Sequence, residues 1–165
     1  MLVRRRCRVS MRPPSRRSTP LRVEHPRGRR ADARTRGADT LRTVRLLAWL
    51  PALAIAAAIW MLSATPDLAV ASGWLDTVTR KAGHVAVFGA LAAACILALR
   101  RWPVAAPTCL LAGSALALAY AVLDEWHQTF VPTRHGAPAD VAIDAAGIGI
   151  AAIVLAMAFR RRGTA

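Results

Sequence analysis

Four long apolar blocks divide the chain from residue 46 onward. They are Leu46–Leu62, Ala82–Leu99, Trp102–Leu123 and Val141–Phe159. Each approaches the roughly 20 residues that a helix needs to cross about 30 Å of hydrocarbon. None alternates polar and apolar residues as a membrane β-strand does, and a helix satisfies its own backbone in lipid. The pattern predicts an all-α, polytopic membrane protein, a four-helix transmembrane bundle, in preference to a soluble protein with a buried helical core.

The positions of the short basic runs predict how this bundle is oriented. Basic residues precede the first block, separate the second from the third and follow the fourth: Arg42, Arg45, Arg100, Arg101, Arg160, Arg161 and Arg162. In an up-down-up-down bundle these three places share one side, which the positive-inside rule makes cytoplasmic. We therefore expect a multi-pass plasma-membrane protein with both termini in the cytoplasm. The loops 63–80 and 124–140 then face outward, although Arg80 and Lys81 oppose the rule mildly.

The segment before the first block has a different composition. Residues 1–45 carry 15 Arg against three acids, so most of the formal net charge of +14 lies there. This composition predicts a disordered, Arg/Pro-rich cytoplasmic tail over residues 1–41 and a membrane domain over residues 42–165. The tail has no aromatic residue to stack on a base, so no specific nucleic-acid partner is expected. The alternatives are a tether to anionic lipid or an extension without function, with Met11 or a later codon as the true start.

Polar and ionisable side chains gather at the block ends that we place on the outer side. They are Arg80, Lys81, His84, Asp124, Glu125, His127, Gln128, Arg134, His135, Asp140 and Asp144. An ionisable group at membrane depth costs roughly 2.5–3.5 kcal/mol on insertion scales, so such groups usually have a function. Their convergence on one side predicts an outward-facing polar site.

Helical spacing indicates which of these side chains share a face. The pairs are Lys81 with His84, Asp124 with Gln128, Glu125 with Gln128, and Asp140 with Asp144, each three or four residues apart. Arg134 follows Pro132 in the intervening loop and is predicted to fold back over the acids as a bidentate partner. Small residues on the third and fourth blocks, among them Gly113 and Gly147, predict that these two helices pack tightly together.

Two of the polar runs resemble signatures of the VanZ-like family of membrane proteins. The run Lys81-Ala-Gly-His84-Val-Ala-Val-Phe88-Gly-Ala-Leu91 is similar to K-x-x-H-x-x-x-[FY]-x-x-L. The residues Asp124, Glu125, Gln128, Phe130, Arg134, Asp140 and Gly147 are similar to D-E-x-x-Q-x-F…R…D-x-x-x-N-x-x-G. Ser63 and Pro66 resemble the Ser/Pro pair after the family's first helix. Asp144 stands where the family more often has Asn, which adds a negative charge.

The resemblance covers about residues 46–160 and implies a membrane location and a site at these motifs. The family is associated with low-level teicoplanin resistance and other cell-envelope contexts. The resemblance therefore implies a role in cell-envelope, lipid or glycopeptide-related processes, without implying a particular reaction.

The polar residues support two classes of function. The first is an enzyme that acts on an envelope lipid or its head group, with His84 as general acid or base. Its candidate catalytic residues are His84, Glu125 and Asp140, and its candidate ligand-binding residues are Lys81, Gln128, Arg134, Asp124 and Asp144. Lys81 and Arg134 would clamp a phosphate or carboxylate.

The second class is a membrane protein that binds an envelope lipid, a lipid-linked ligand or a partner protein without chemistry. In a purely structural alternative the acids latch the outer loop, and His84 is hydrogen-bonded to Glu125. A proton-coupled small transporter is a weaker alternative, because no inverted repeat or broken helix is visible. The sequence alone does not decide between enzyme and binder.

The sequence assigns no metal or cofactor. His84, Glu125, Asp140 and Asp144 offer nitrogen and oxygen ligands, but no HExxH-type spacing is present. We therefore expect membrane lipids and a phosphate- or carboxylate-bearing envelope ligand as partners, and no metal. Nothing in the pattern indicates the oligomeric state.

Overall fold

The computed structural model describes residues 37, 39–65, 73–132, 134 and 136–163. Four helices contain most of them: α1 Leu50–Ser63, α2 Trp74–Leu99, α3 Ala106–Gln128 and α4 Pro138–Gly163. These described stretches contain no strand. The predicted disordered tail lies outside them except at its end, where residues 39–47 are helical. Pro66 and His135 also lie outside the described residues.

Four helical stretches are long and apolar enough to cross a membrane. They are Asp39–Ser63, Thr77–Leu99, Ala106–Gln128 and Pro138–Arg162. Large apolar side chains on these helices are exposed, as expected where lipid takes the place of water; examples are Leu53, Met61, Leu111, Val122, Ile150 and Ile153. The predicted fold class is confirmed: the chain is an all-α, multi-pass membrane protein.

The second helix begins well before its hydrophobic block. α2 starts at Trp74, whereas the apolar run predicted a start at residue 82. The helix includes four polar residues that precede the apolar block: Thr77, Thr79, Arg80 and Lys81. The Thr79 hydroxyl donates to the carbonyl of Leu75 one turn earlier. His84 therefore lies roughly three turns inside the helix instead of at its mouth.

The other helices also differ from their hydrophobic blocks at the ends. α3 continues to Gln128 instead of stopping at 123, and α4 begins at Pro138 instead of 141. The acids at these two ends are consequently helical. Residues 39–47 form a helix that leads into α1 through a turn at residues 48 and 49. That interruption lies next to Pro51, which has no N–H to continue the hydrogen-bond ladder.

Glycines on α3 and α4 bring both helices against α2. Gly147 of α4 lies so close to the Val85 carbonyl of α2 that an added Cβ would overlap it. A Cβ on Gly113 of α3 would lie 2.8 Å from the backbone nitrogen of Ile96, also on α2. α3 and α4 do contact each other as predicted. The expected use of these two glycines in that contact is wrong, because α2 is the helix whose backbone they approach.

The bundle has two chemically different ends. The polar end is where α1 ends at Ser63, α3 ends at Gln128 and α4 begins at Pro138. At the opposite end, the arginine end, Arg45 Nε donates to the Arg101 carbonyl at 3.0 Å. Two of the basic runs thus lie together, as an up-down bundle requires. Which side of the membrane this end faces stays a prediction.

Candidate membrane-embedded polar site

A histidine–aspartate pair joins α2 to α4. His84 Nδ1 lies 3.0 Å from Asp144 Oδ1, and 26% of the His84 side chain is exposed against 1% for Asp144. The contact of Gly147 with α2, nearly one turn further along α4, holds the two helices close enough for this pair. The second carboxylate oxygen, Asp144 Oδ2, is buried and has no hydrogen-bond partner among the described residues. Asp144 thus takes the place beside His84 that the structural alternative gave to Glu125.

Glu125 of α3 completes a group drawn from three helices. His84, Glu125 and Asp144 each offer one ligand atom, and these atoms all lie within 4.8 Å of one another. The backbone N–H of Ala137 donates to Glu125 Oε2 at 2.8 Å. Gln128 Nε2 donates more weakly to Oε1, at 3.4 Å. We call His84, Glu125 and Asp144 the three-helix cluster.

Asp124 has a different role from its neighbour Glu125. Its Oδ2 accepts hydrogen bonds from Ser63 Oγ and from Gln128 Nε2, each at 2.9 Å. Both Asp124 and Ser63 are buried. The carboxylate therefore fastens the end of α1 to the end of α3. Only the resemblance at Ser63 pointed to this residue, because a single serine after an apolar run carries little signal by itself.

The prediction for Arg134 is corrected by its contacts. Its Nη2 donates to the carbonyls of Leu62 and Thr65, each at 3.1 Å, and its Nε donates to Thr65 at 3.3 Å. Among the described residues it forms no ion pair with the acids of the polar end. The last carbonyls of a helix have no partner within the helix. Arg134 binds two at the end of α1, of which that of Leu62 also accepts the Thr65 N–H at 3.2 Å. It is a helix cap supplied by a distant loop.

Lys81 and Asp140 lie nearer the opening of the polar end. Lys81 is exposed, and Asp140 is half-buried in the first turn of α4. Within the part of the chain that the structure describes, neither side chain forms a hydrogen bond, and Asp140 is not in the three-helix cluster. Helical spacing still places Lys81 on the face of His84 and Asp140 on the face of Asp144.

The three-helix cluster can support proton transfer or hold a cation. In the tautomer with its proton on Nδ1, His84 donates to Asp144 and keeps Nε2 for a second partner. Glu125 supplies another carboxylate within reach. The same imidazole and carboxylate donors are also ligands for divalent transition metals. Sequence spacing did not indicate the cluster, because its members come from three separate helices.

Comparison with known proteins agrees with the fold and with the two motif runs. A model of the VanZ/LLP1 family matches residues 30–160. The match includes α1, α2, α3 and α4 as far as residue 160, and it begins earlier than the resemblance noted from the motifs. No curated protein and no solved structure matches the chain. The matched range covers most of the 165 residues, and it contains every residue of the three-helix cluster. The chain belongs to the VanZ/LLP1 family.

Proposed function

We propose that the polar end binds the phosphate- or carboxylate-bearing head group of a cell-envelope lipid and catalyses acid–base chemistry on it. The observation that carries this proposal is the partly buried contact of His84 with Asp144, with Glu125 in the same cluster. Carboxylates inside a transmembrane bundle are expensive, so a bundle that retains them beside a histidine favours a functional role. The envelope association implied by the VanZ resemblance supports the same class of substrate.

The proposed chemistry assigns different work to the members of the cluster. His84 accepts a proton from the attacking hydroxyl or water and returns it to the leaving group. Asp144 positions the imidazole and stabilises its protonated form, because it accepts from Nδ1. Glu125 is the second carboxylate able to receive a proton. Asp140, nearer the opening, is the candidate for contact with the incoming group.

Recognition of the anionic head group falls to Lys81 in this proposal. Lys81 is exposed and three residues from His84, so its ammonium group can meet a ligand that reaches the cluster. Arg134 is less suited to the clamp first expected of it, because two backbone carbonyls already accept its hydrogen bonds. Asp124 and Gln128 act as the frame that keeps α1 and α3 together.

Exposed aromatic residues at the polar end support access from the membrane interface. The rings of Trp126 and Phe130 meet edge to face at 5.1 Å, and both side chains are exposed. Trp74 at the start of α2 is also exposed. Aromatic side chains favour the head-group region of a bilayer. We therefore propose that the lipid head group enters between these residues from the leaflet at this end, which the positive-inside rule predicts to be the outer one.

The test is the chemical fate of envelope lipids exposed to purified protein. The protein would be reconstituted into vesicles of extracted envelope lipids, and the lipids then analysed by mass spectrometry. We expect a change in one lipid class with the wild type and none with His84→Gln or Glu125→Gln. His127→Gln is the matched control, because His127 lies at the same end of the bundle but stacks on Trp60 at 3.8 Å outside the cluster.

Two results would count against an enzyme. Lipids of identical mass in every sample would favour the non-catalytic alternative, a protein that only binds a lipid or a partner. An equal loss of activity in His84→Gln and His127→Gln would mean that the histidines matter for folding alone. Thermal unfolding of each variant in detergent separates lost chemistry from lost structure.

A further inference from the structure

The proposed anionic ligand poses an electrostatic problem at the polar end. Glu125, Asp124 and Asp144 are all buried, with exposures of 5% or less. Among the described residues, His84 is the one basic side chain that forms an ion pair with any of these three acids. An anionic head group brought against this cluster would meet carboxylates of the same sign. A second source of positive charge inside the cluster would remove the repulsion.

We infer that His84, Glu125 and Asp144 bind a divalent metal ion. Their three ligand atoms come from α2, α3 and α4 and lie within 4.8 Å of one another. Two ligands on opposite sides of an ion that binds at about 2.1 Å are roughly 4.2 Å apart. Small side-chain movements are therefore enough to close the cluster around one ion.

The pair distance also fits shared ligation. His84 Nδ1 and Asp144 Oδ1 are 3.0 Å apart. Two donors bound at about 2.1 Å and at right angles around one ion are separated by about 3.0 Å. The hydrogen bond can thus give way to two metal bonds without moving α2 away from α4.

An unpaired buried atom is the second observation that favours a cation. Asp144 Oδ2 is shielded from solvent and accepts no hydrogen bond from the described residues. A buried carboxylate oxygen without a donor is costly. Its sister oxygen Oδ1 lies against His84, so an ion bound by both oxygens of Asp144 would also satisfy Oδ2.

The donor set selects the kind of metal. Imidazole nitrogen suits Zn²⁺ and related transition metals, and carboxylate oxygen suits Mn²⁺, Mg²⁺ and Ca²⁺. One nitrogen with two carboxylates matches Mn²⁺ or Zn²⁺ better than Mg²⁺ or Ca²⁺, which prefer oxygen alone. Three protein ligands leave coordination positions for water or for an oxygen of the head group.

This inference deepens the proposed function and rests on it for the use of the ion, but the binding itself is independent of any reaction. A metal on His84 turns the ring from a proton carrier into a ligand. The ion then supplies the positive charge for a phosphate or carboxylate oxygen, and it can lower the pKa of a bound water. Glu125 or the metal-bound water would take over the proton transfer.

The experiment measures binding of Mn²⁺ and Zn²⁺ to metal-stripped full-length protein in lipid nanodiscs. Equilibrium dialysis with elemental analysis gives the stoichiometry, and electron paramagnetic resonance follows bound Mn²⁺. We expect one ion per chain and at least about a 10-fold weaker affinity in Asp144→Asn and in Glu125→Gln. Asp124→Asn is the matched control, because it removes a buried carboxylate from the same helix end outside the cluster. It removes a nearby charge but no ligand atom, so it should weaken the affinity less than either cluster variant does.

Pulsed electron paramagnetic resonance tests directly whether the histidine binds the ion. Bound Mn²⁺ should show coupling to an imidazole nitrogen in the wild type and in Asp124→Asn. The coupling should vanish in His84→Gln. Metal should also raise the Tm of the wild type and the control while leaving that of Asp144→Asn unchanged.

Several outcomes would overturn the inference. No stoichiometric binding of either metal would do so, and so would equal weakening by Asp124→Asn and Asp144→Asn, which indicates diffuse charge attraction. Absence of nitrogen coupling would remove His84 from the ligand set. Lipid chemistry by metal-stripped protein would reject a role of the ion in the reaction while the proposed function stands. Metal binding without any lipid change would support the metal site and count against the proposed function.

Discussion

Asp124 and Asp144 are both buried acids, yet their surroundings differ. Asp124 Oδ2 accepts from a serine on α1 and from a glutamine on its own helix, and its Oδ1 has no partner among the described atoms. Among the described side chains, Asp144 is hydrogen-bonded to His84 alone. The first acid is therefore held by neutral donors and joins helices, whereas the second depends on a group that can change its charge. Asp124 is therefore a structural carboxylate, whereas Asp144 is a candidate for a role in the chemistry of the site.

The hydrogen bond from Ser63 predicts a measurable loss of stability. Ser63→Ala leaves Asp124 Oδ2 with a single donor, so we expect a cost of about 1 kcal/mol in the free energy of unfolding. Unfolding by titration with denaturing detergent measures this difference. Ser114→Ala is the matched control, because Ser114 Oγ is buried without a described partner, and its removal should be neutral or slightly stabilising. Equal costs for the two variants would contradict the role of the Ser63 bond.

The pairing of His84 with Asp144 could not be predicted from the sequence. The residues themselves were identified, since ionisable side chains stand out against long apolar blocks. Their pairing depends on where along each helix they lie, and the apolar pattern placed the start of α2 eight residues too late. The sequence therefore predicted His84 at the start of its helix, and it predicted Asp144 at a greater depth in the membrane than any residue able to pair with it. The unexpected length of α2 corrects this depth.

Helix contacts in this bundle depend on a few positions without side chains. Gly147 allows the backbone of α4 to approach Val85 of α2, and this approach sets the distance across which His84 meets Asp144. Gly149, two residues later, faces open space within 4 Å. A side chain is therefore excluded at Gly147 but has room at Gly149.

This contrast predicts different effects of the same substitution. Gly147→Ala should force α4 away from α2 and lower stability by roughly 1–3 kcal/mol, the usual cost of overpacking. Gly149→Ala should leave stability unchanged or raise it, because alanine favours the helix. Thermal unfolding in detergent would compare the two variants. A Gly147→Ala protein as stable as the wild type would show that the helices are not in close contact there.

The cap formed by Arg134 predicts a coupling that differs from the first expectation. Arg134 and Ser63 both hold the end of α1, one through backbone carbonyls and one through Asp124. Losing either contact frees the helix end, so the second loss should cost less. The Arg134→Ala and Ser63→Ala double variant should therefore be destabilised by less than the sum of its single variants. In the Arg134→Ala and Asp140→Ala double variant, the two losses of stability should simply add. A smaller loss than the sum would indicate that Arg134 does pair with the acid, as first predicted.

The sequence predicted the number and type of helices but not their ends. Apolar length decides membrane crossing, and this quantity is visible in the four blocks. Helix ends depend instead on hydrogen bonds of polar residues, such as that of Thr79, which an apolar run does not record. The Arg134 cap was missed for a related reason: an arginine near acids suggests an ion pair, whereas open carbonyls at a helix end are invisible in a sequence.

At the scale of the whole molecule, the two ends of the bundle differ in charge and chemistry. The arginine end contains the contact of Arg45 with Arg101, and the guanidinium of Arg45 also lies 5.4 Å from the ring centre of Trp102. The polar end contains the three-helix cluster. This division places Arg45 and Arg101 at the opposite end of the bundle from the buried acids, whichever face is cytoplasmic.

Topology mapping would decide which face that is. The positive-inside rule predicts that a cysteine at the exposed position 132, introduced as Pro132→Cys, reacts with an impermeant reagent from outside the cell. A reporter fused after Arg162 should remain cytoplasmic. A protein with Cys7, Cys95 and Cys109 replaced by serine supplies the background for labelling. Labelling of position 132 from the cytoplasmic side alone would invert the predicted orientation and place the site inside.

The long-range cap on α1 also has a consequence for biosynthesis. Arg134 follows Leu62, whose carbonyl it binds, by 72 residues. At a synthesis rate of roughly 5–20 residues per second, the arginine leaves the ribosome about 4–14 s after the helix end that it completes. The first of the four helices is therefore capped only after α2 and α3 have been made, and during that interval it stays in the bilayer or in the insertion machinery without its cap. A ribosome that stalls between these two points would leave a membrane segment that has been delivered but not assembled.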